Sequence, residues 1–358
     1  MWLQGLESNA VRTQITDPYR QVGVIYAIIS TIAGHAASVA WSIGREDVVY
    51  PDSGDRAHPM YRLLRAPNDN YRGARVFEAT HAYREMHGRS FWILDEFARP
   101  RAAASAIPRR IRIPNPQWVT ADVQRGELKG WQYSGPEGSA HLSKEQVIRF
   151  SYFDPDDPYK GVGPLEAARL GYNLAWRSGK AQELFYRNGG HPPFWIEAAP
   201  DRNLNPEQVR ALKQQFREQY LGLENWGDPP VMIGGSKLHE LGISQRDAEW
   251  VSTQNLTTFQ LCAIFGIPAF MIGFAQEAHM TNSVMFTRNY WGGKIRGIGD
   301  DVATTINADL FDRFFPGDRF SYDWQAKFAE VLPEATRSAI ESARKMWEKG
   351  VPASQAYA

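Results

Sequence analysis

Apolar residues recur at helical intervals in several long stretches of this chain, and at alternating positions in one region between them. From Gln21 to Gly44 there is no Asp, Glu, Lys or Arg. Ile25, Ile28, Ile29, Ile32 and Ala36 share one side of a helix, and Gly23, Ala27, Ser30, Thr31, Gly34 and Ser38 form a small or polar stripe on another. The length would suffice for a membrane span, but the stripe points to a core helix with a closely packed face. A short amphipathic helix is expected over His58–Leu64, and a longer one over Arg75–His87 that Gly88 ends. SFWILDEF, from Ser90, reads as a strand. Alternation continues through Ile111–Ile113, Trp118–Val123, Gly130–Tyr133 and Val147–Tyr152, so this region is β-rich. Ser143 and Gln146 have capping-box spacing, with at most one helical turn expected after them.

Asp154-Pro155-Asp156-Asp157-Pro158 resembles a metal loop only superficially, because Tyr159 and Leu165 stand where a calcium loop needs Gly and Glu. It reads as a rigid connector into a helix that starts at Gly163-Pro164 and runs to Asn188. Gly171 and Gly179 inside that helix suggest that another backbone passes close by. His191–Gly242 is a compact insert: a strand over Pro193–Ala198, a helix capped by Asn205 with Gln208 reaching back, then VMIGG and Lys237–Leu241 as strands. Asp247–Phe265 is helical yet polar in its middle (Ser252, Thr253, Gln254, Asn255, Thr257, Thr258), and Gly266-Ile267-Pro268 stops it. A patternless small and polar segment, Ala275–Asn282, follows. Then come a helical stretch over Ser283–Phe315 with a kink expected at Gly292-Gly293 and Gly297/Gly299, a strand over Phe320–Trp324 and a last helix over Pro333–Lys349.

Composition narrows the function classes. Lys plus Arg and Asp plus Glu both total 40, so the formal charge is zero, which disfavours tight nucleic-acid binding by a single chain. Arg99, Arg101, Arg109, Arg110 and Arg112 form a basic run that suits a solvated loop or a subunit contact better than phosphate binding. Cys262 is the one cysteine, which makes no intrachain disulfide and no zinc site. No signal peptide is expected, and an intracellular origin is. The eight histidines are scattered; His35, His81, His87, His141 and His239 read as satisfied structural residues. Phosphate-loop, dinucleotide, nucleophile-elbow and H-E-x-x-H motifs are missing. No catalytic residue, metal site or cofactor is therefore predicted. The twelve tryptophans leave an aromatic-rich polysaccharide hydrolase as the alternative, without an identifiable carboxylate pair.

The order of these elements resembles the portal proteins of tailed bacteriophages, in the siphophage-type portal family, over Val22–Tyr357. The resemblance rests on HPMYRLLRAPN, MHGRSFWIL, QVIRFSYFDPDDPYKGVGPLEAAR, FYRNGGHPPFWIE, DAEWVSTQ, CAIFGIPAFMIG and TNSVMF. The pairing of F-G-I-P-x-x-M-I-G with an upstream G-V-G-P-L-x-A-A is its most specific part. Two departures are Arg89-Ser90-Phe91-Trp92, where the family shows asparagine and an aromatic, and a short or truncated helical crown.

The resemblance implies an α+β portal fold in a closed ring, usually of twelve copies, at one capsid vertex, through which double-stranded DNA is packaged and ejected. Residues 1–163 and 283–331 would be the wing, 164–190 and 243–268 the stem helices, 191–242 the clip, 269–282 the tunnel loop and 332–358 the start of the crown. Phe274, Gln276, Glu277, His279, Met280, Thr281 and Asn282 would face the DNA channel. Glu207, Arg210, Arg217, Glu218, Trp226 and Asp228 in the clip would face the motor or adaptor. The implied partners are the large terminase, the head-tail adaptor, and the major capsid and scaffolding proteins, in the virion and, during assembly, the host cytoplasm, with no membrane and no enzymatic activity. A tail or head-completion protein of similar origin is a further reading.

Overall fold

The computed structural model describes residues 17–45, 58–98, 106–187, 194–197, 205–211, 214, 237–240, 247–274 and 280–332. The chain divides into two compact units. One comprises Met1–Val22 and Leu170–Gln260, the other Gly23–Arg169 and Leu261–Ala358.

In the second unit, helix α1 (Gly23–Ala37) buries Ile25, Ile28, Ile29, Ile32, Ala33, Ala36 and Ala37. The buried face is the isoleucine one. A Cβ at Gly23 or Gly34 would meet nothing within 4 Å, so the small stripe is not the packed face that its composition suggests. Among the described residues no helix is long and apolar enough to cross a membrane. The charge-free stretch changes structure before its end, since Trp41–Arg45 is a strand, β1. Helix α2 (Pro59–Arg65) starts on a proline and is capped by His58, whose Nδ1 accepts the Met60 N–H at 3.1 Å.

Helix α3 (Arg75–His87) packs on α1 and ends at Gly88, which has φ 72°. Glycine is required there twice over. The left-handed conformation disfavours a side chain, and a Cβ would lie 2.1 Å from the carbonyl oxygen of Gly161. Gly161 belongs to the connector read from DPDDP. There the Asp154 carboxylate accepts backbone N–H bonds from Asp156 (2.9 Å), Asp157 (3.2 Å) and Gly161 (3.3 Å), and these bonds hold its pKa below the ordinary carboxylate value. The segment is a rigid turn, as expected.

Strand β2 (Arg89–Asp95) is central in a three-stranded sheet, between β3 (Arg110–Arg112) and β7 (Val147–Ser151). Ser90 to Leu94 are all buried, which explains the unbroken apolar run: both faces of the strand are covered. On one face Phe91 and Ile93 pack with Val119, Trp131, Tyr133, Leu142 and Val147. Most of that cluster lies on the second three-stranded sheet, β4 (Val119–Gln124), β5 (Glu127–Gly135) and β6 (Gly138–Ser143), in that order. On the other face the Trp92 indole N–H donates to Thr80 Oγ1 at 2.8 Å, and its ring meets Phe77 of α3 edge-on. Strand β6 escaped the sequence reading because Leu142 is its only buried position. Ser143 and Gln146 do close a capping box over a single turn.

Helix α6 (Met280–Asn289) leads through a wide π turn, Tyr290–Ile295, into helix α7 (Arg296–Ile306). A second wide turn, Asn307–Phe311, follows. The irregularity falls on Gly292-Gly293 as anticipated, whereas Gly297 and Gly299 lie in regular helix. Gly299 has a packing role, since a Cβ there would sit 2.6 Å from the Trp324 ring. Strand β10 (Asp318–Tyr322) pairs antiparallel with β1, Ile43 opposite Phe320, and helix α8 (Trp324–Val331) follows. The pairing stacks Trp41 on Phe320 and Phe77 on Phe320. The helix expected over Pro333–Lys349 lies outside the described residues.

The other unit holds most of helix α4 (Arg169–Arg187) and the first part of α5 (Asp247–Phe265). The helix expected to run unbroken from Pro164 is interrupted. A short turn, Pro164–Ala167, ends at Ala168 with ψ 0°, and α4 starts beyond it. A Cβ at Gly179 would meet nothing within 4 Å among the described residues, so no described backbone of the same chain passes there. Strand β8 (Phe194–Glu197) pairs antiparallel with β9 (Lys237–Glu240). Residues 206–211 are helical, opened by the anticipated box: Gln208 N–H to Asn205 Oδ1 at 2.8 Å and Asn205 N–H to Gln208 Oε1 at 3.0 Å. The VMIGG strand lies outside the described residues.

Candidate functional site

The stretch that carries the functional expectation begins with α5. From residue 255 onward Thr257, Thr258, Leu261, Cys262 and Phe265 are buried, which is one face of a helix. Leu256, 59% exposed, and Phe259 lie on the opposite side, and the exposed Ile264 lies at the border of the buried face. The helix buries two threonines and leaves three large apolar side chains in water, the reverse of a helix that serves only its own core. The Cys262 thiol is pushed up to about 11 by burial, so it is protonated and unreactive.

Gly266 ends α5 with φ 69°. A tight turn over Ala269–Ile272 brings the chain to Gly273 and to Phe274, which is half-buried and donates its N–H to Ala269 O at 3.1 Å. Gln276, Glu277 and His279 lie outside the described residues. Met280, Thr281 and Asn282, read from sequence as loop, instead form the first turn of α6, so that helix starts earlier than Ser283. A polar segment without apolar period can still be helical when the helix it joins continues, because propagation costs less than nucleation. Val284, Met285 (54% exposed) and Phe286 are three consecutive apolar residues on the surface of α6. On α4, Leu170 is 84% exposed and Leu174 is exposed as well.

Of the residues expected to face other proteins, Glu207 and Arg210 are on the helix of residues 206–211, both exposed. Arg217, Glu218, Trp226 and Asp228 lie outside the described residues. The basic run is partly neutralised. Arg110 reaches Glu96 at 3.2 Å, and Arg112 pairs with Asp95 and with Glu137 at 3.2 Å. Those two guanidiniums are spent on carboxylates. Arg99 and Arg101 are outside the described set.

Nothing described assembles into a reaction centre. Among the described residues no group of three or more His, Cys, Asp or Glu is placed to hold a metal. His35 Nδ1 meets the Tyr290 hydroxyl at 3.0 Å, and His141 meets Asp122 at 3.1 Å on the surface. Of the tryptophans that suggested sugar stacking, Trp92, Trp131 and Trp291 are buried, whereas Trp41, Trp118, Trp176 and Trp324 are half-buried.

One concentration of chemistry was not legible beforehand. Arg84 and Glu85, at the end of α3, are fully buried. Arg84 donates to Ile298 O at 3.2 Å, pairs with Asp301, and lies 4.5 Å from the centre of the Tyr152 ring. Glu85 Oε1 accepts from Lys294 Nζ at 2.7 Å and from the Tyr152 hydroxyl at 2.6 Å. Burial, then the Glu85 charge, push the Tyr152 hydroxyl well above its ordinary value. One helical turn before Glu85, His81 is buried with both ring nitrogens unpartnered, contrary to the satisfied role expected of it. Burial, reinforced by Arg84 and Lys294, lowers its pKa to about 3, so it is neutral.

A protein of Rickettsia bellii is 24% identical over 91% of this chain and 83% of its own length. The probable portal protein of Streptomyces phage phiC31 is 23% identical over 54% of this chain and 41% of that one. Among solved structures, the neck of an empty gene transfer agent particle, computed with C6 symmetry, superposes with a TM-score of 0.67 at 19% identity, over 95% of this chain and 89% of that one. The family model described as phage portal protein matches residues 23–352, and the chain belongs to that family.

Proposed function

We propose that this chain is the subunit of a closed ring at one capsid vertex, which conducts double-stranded DNA during packaging and ejection and works without catalysis of its own. The observation that carries the reading is the outward apolar set of α5 and α6: Leu256, Phe259 and Ile264, with Val284, Met285 and Phe286. A soluble chain with a well-filled core leaves such residues in water only where something covers them. Cyclic assemblies of one chain meet that need with a repeated heterologous contact. The sixfold symmetry of the gene transfer agent neck is compatible with a twelve-membered ring, the number we favour.

A conduit must not hold its cargo. Many phosphate contacts would tie DNA down with a steeply salt-dependent affinity, whereas this chain is neutral and its Gln276–Asn282 segment is mixed in character. We assign that segment to the channel wall. The exposed helix carrying Glu207 and Arg210 we assign to docking of the packaging motor and later the head-tail adaptor, with ATP hydrolysis supplied by the motor.

The test is the mass and shape of the purified chain. Light scattering and negative stain should report a large ring, and a strict monomer at high concentration would sink the proposal. Val284, Met285 and Phe286 changed together to serine should leave the fold intact and shift the population toward monomer. Replacing Gln276–Met280 should spare the ring and impair packaging; full packaging by that variant would remove the segment from the channel.

A further inference from the structure

The π turn Tyr290–Ile295 is held from both sides. On one side the Tyr290 hydroxyl meets His35 Nδ1 at 3.0 Å, and the buried Trp291 ring lies 5.0 Å from the His35 ring, so the turn is anchored to α1. On the other side α3 touches the helix at three points: Lys294 through Glu85, the Ile298 carbonyl through Arg84, and Asp301 through Arg84. Their spacing of four and then three residues is one face of an α-helix. The face is read by two side chains that are themselves buried.

The turn contains Gly292 and Gly293. A Cβ at either would meet nothing within 4 Å, so close packing does not call for them, although glycine weakens a helix. What they supply is backbone freedom at the point where the hydrogen-bond register widens by one residue. Regularising the turn to an α-helix would rotate α6 relative to α7 by about 100°. The exposed residues Val284, Met285 and Phe286 would turn with it.

We propose that the pair of buried Glu85 with partly buried Lys294 is a register pin: it selects the wide-turn form of this helix and so fixes the direction in which α6 presents its apolar residues. Glu85 and Lys294 are positioning residues. Buried ion pairs are costly to form and their best-attested use is to specify one register among several. The Tyr152 hydroxyl on the same carboxylate oxygen ties the pin to the end of β7.

The test reads register independently of stability. Nitroxide labels at Arg288→Cys and Thr304→Cys, both exposed positions, in a Cys262→Ser background, flank the turn. The labelled chain is diluted with unlabelled chain so that only distances within one chain are seen by pulsed dipolar spectroscopy. The otherwise wild-type chain should give one distance. Glu85→Met with Lys294→Met should add a second distance, several ångströms away. If that double variant fails to fold, Glu85→Gln with Lys294→Gln takes its place and is read the same way. A folded double variant with the wild-type distance alone, or a wild-type chain that already shows two, overturns the proposal.

Discussion

Glu85, with no exposed surface, and Lys294, 209 positions further along, set a carboxylate oxygen and an ammonium nitrogen 2.7 Å apart inside the larger unit. Neither ion has cheap alternatives in that setting, so removal of one partner leaves the other buried and uncompensated. Glu85→Ala or Lys294→Ala alone should each cost about 3–5 kcal/mol. The joint replacement by methionines should cost much less than the two single changes added together, since no lone charge remains. Thermal or denaturant unfolding of the two single variants and the double one measures the difference. Additive losses would show that the two residues act separately.

His81 makes stability depend on pH in a predictable direction. In the unfolded chain its pKa is near 6.5, and in the folded chain it is lowered to about 3. Between these values the unfolded state binds the extra proton, so stability is full above pH 6.5 and falls as the pH drops toward 3. The slope is about 1.4 kcal/mol per pH unit for one such group. Carboxylates add their own acid sensitivity, so the informative quantity is the difference from His81→Leu. That variant should show a shallower loss between pH 6 and 4, and parallel curves would contradict the assignment.

His58 serves two structures at once. Its Nδ1 caps α2 through the Met60 N–H at 3.1 Å, and so must be the unprotonated nitrogen. Nε2–H then donates to Asp318 Oδ2 at 3.2 Å, at the edge of β10. His58→Ala should lose about 1 kcal/mol for the cap, and a further loss from the Asp318 oxygen that it strands. His58→Asn should recover the cap part alone, because Asn is a good N-cap but shorter. Unfolding midpoints for the three chains check the order wild type, Asn, Ala.

The glycines divide into two groups with opposite predictions. Gly88→Ala meets both a left-handed backbone and a carbonyl oxygen 2.1 Å away, and should abolish soluble folded protein. Gly179→Ala enters open space among the described residues, so it should stabilise α4 by up to about 1 kcal/mol. If a neighbouring copy packs against Gly179, the same change raises the melting temperature of dissociated chain and lowers the assembled fraction in light scattering. Unchanged assembly would place that face outside the subunit contact.

Much of the architecture was legible because local pattern and tertiary outcome agree. The boundaries of α3 and α5, the central strand β2 and the Asn205 box follow from period and capping chemistry that act within a few residues. What escaped depends on distant partners. Trp41–Arg45 is too short to announce itself, and it is a strand only because Asp318–Tyr322 lies beside it. The buried Arg84 and Glu85, and their partners Lys294 and Asp301, look like ordinary surface charges on helices until α3 and α7 are brought together. Position along the chain placed Phe274 at the loop's start, but the first residues of α6 carry no apolar period, so its beginning was set too late. The apolar residues on the outer sides of α5 and α6 were present in the sequence, yet period alone could not say which face a threonine would take.

The pairing of β1 with β10 bears on how the chain is made. Ser42 and Ser321, side by side across that ladder, are 279 residues apart. During synthesis β1 therefore waits for its partner β10 until residue 322 has emerged, whereas β5 closes on β4 and β6 through short turns. Contacts of such high sequence separation slow folding, because loop closure must precede any reward. Through that interval Trp41 and Ile43 form an unpaired edge next to the apolar face of α1, the kind of surface that invites association with other nascent chains. The two-stranded ladder is thus a late stitch of its unit, and a step at which association with other chains competes with folding.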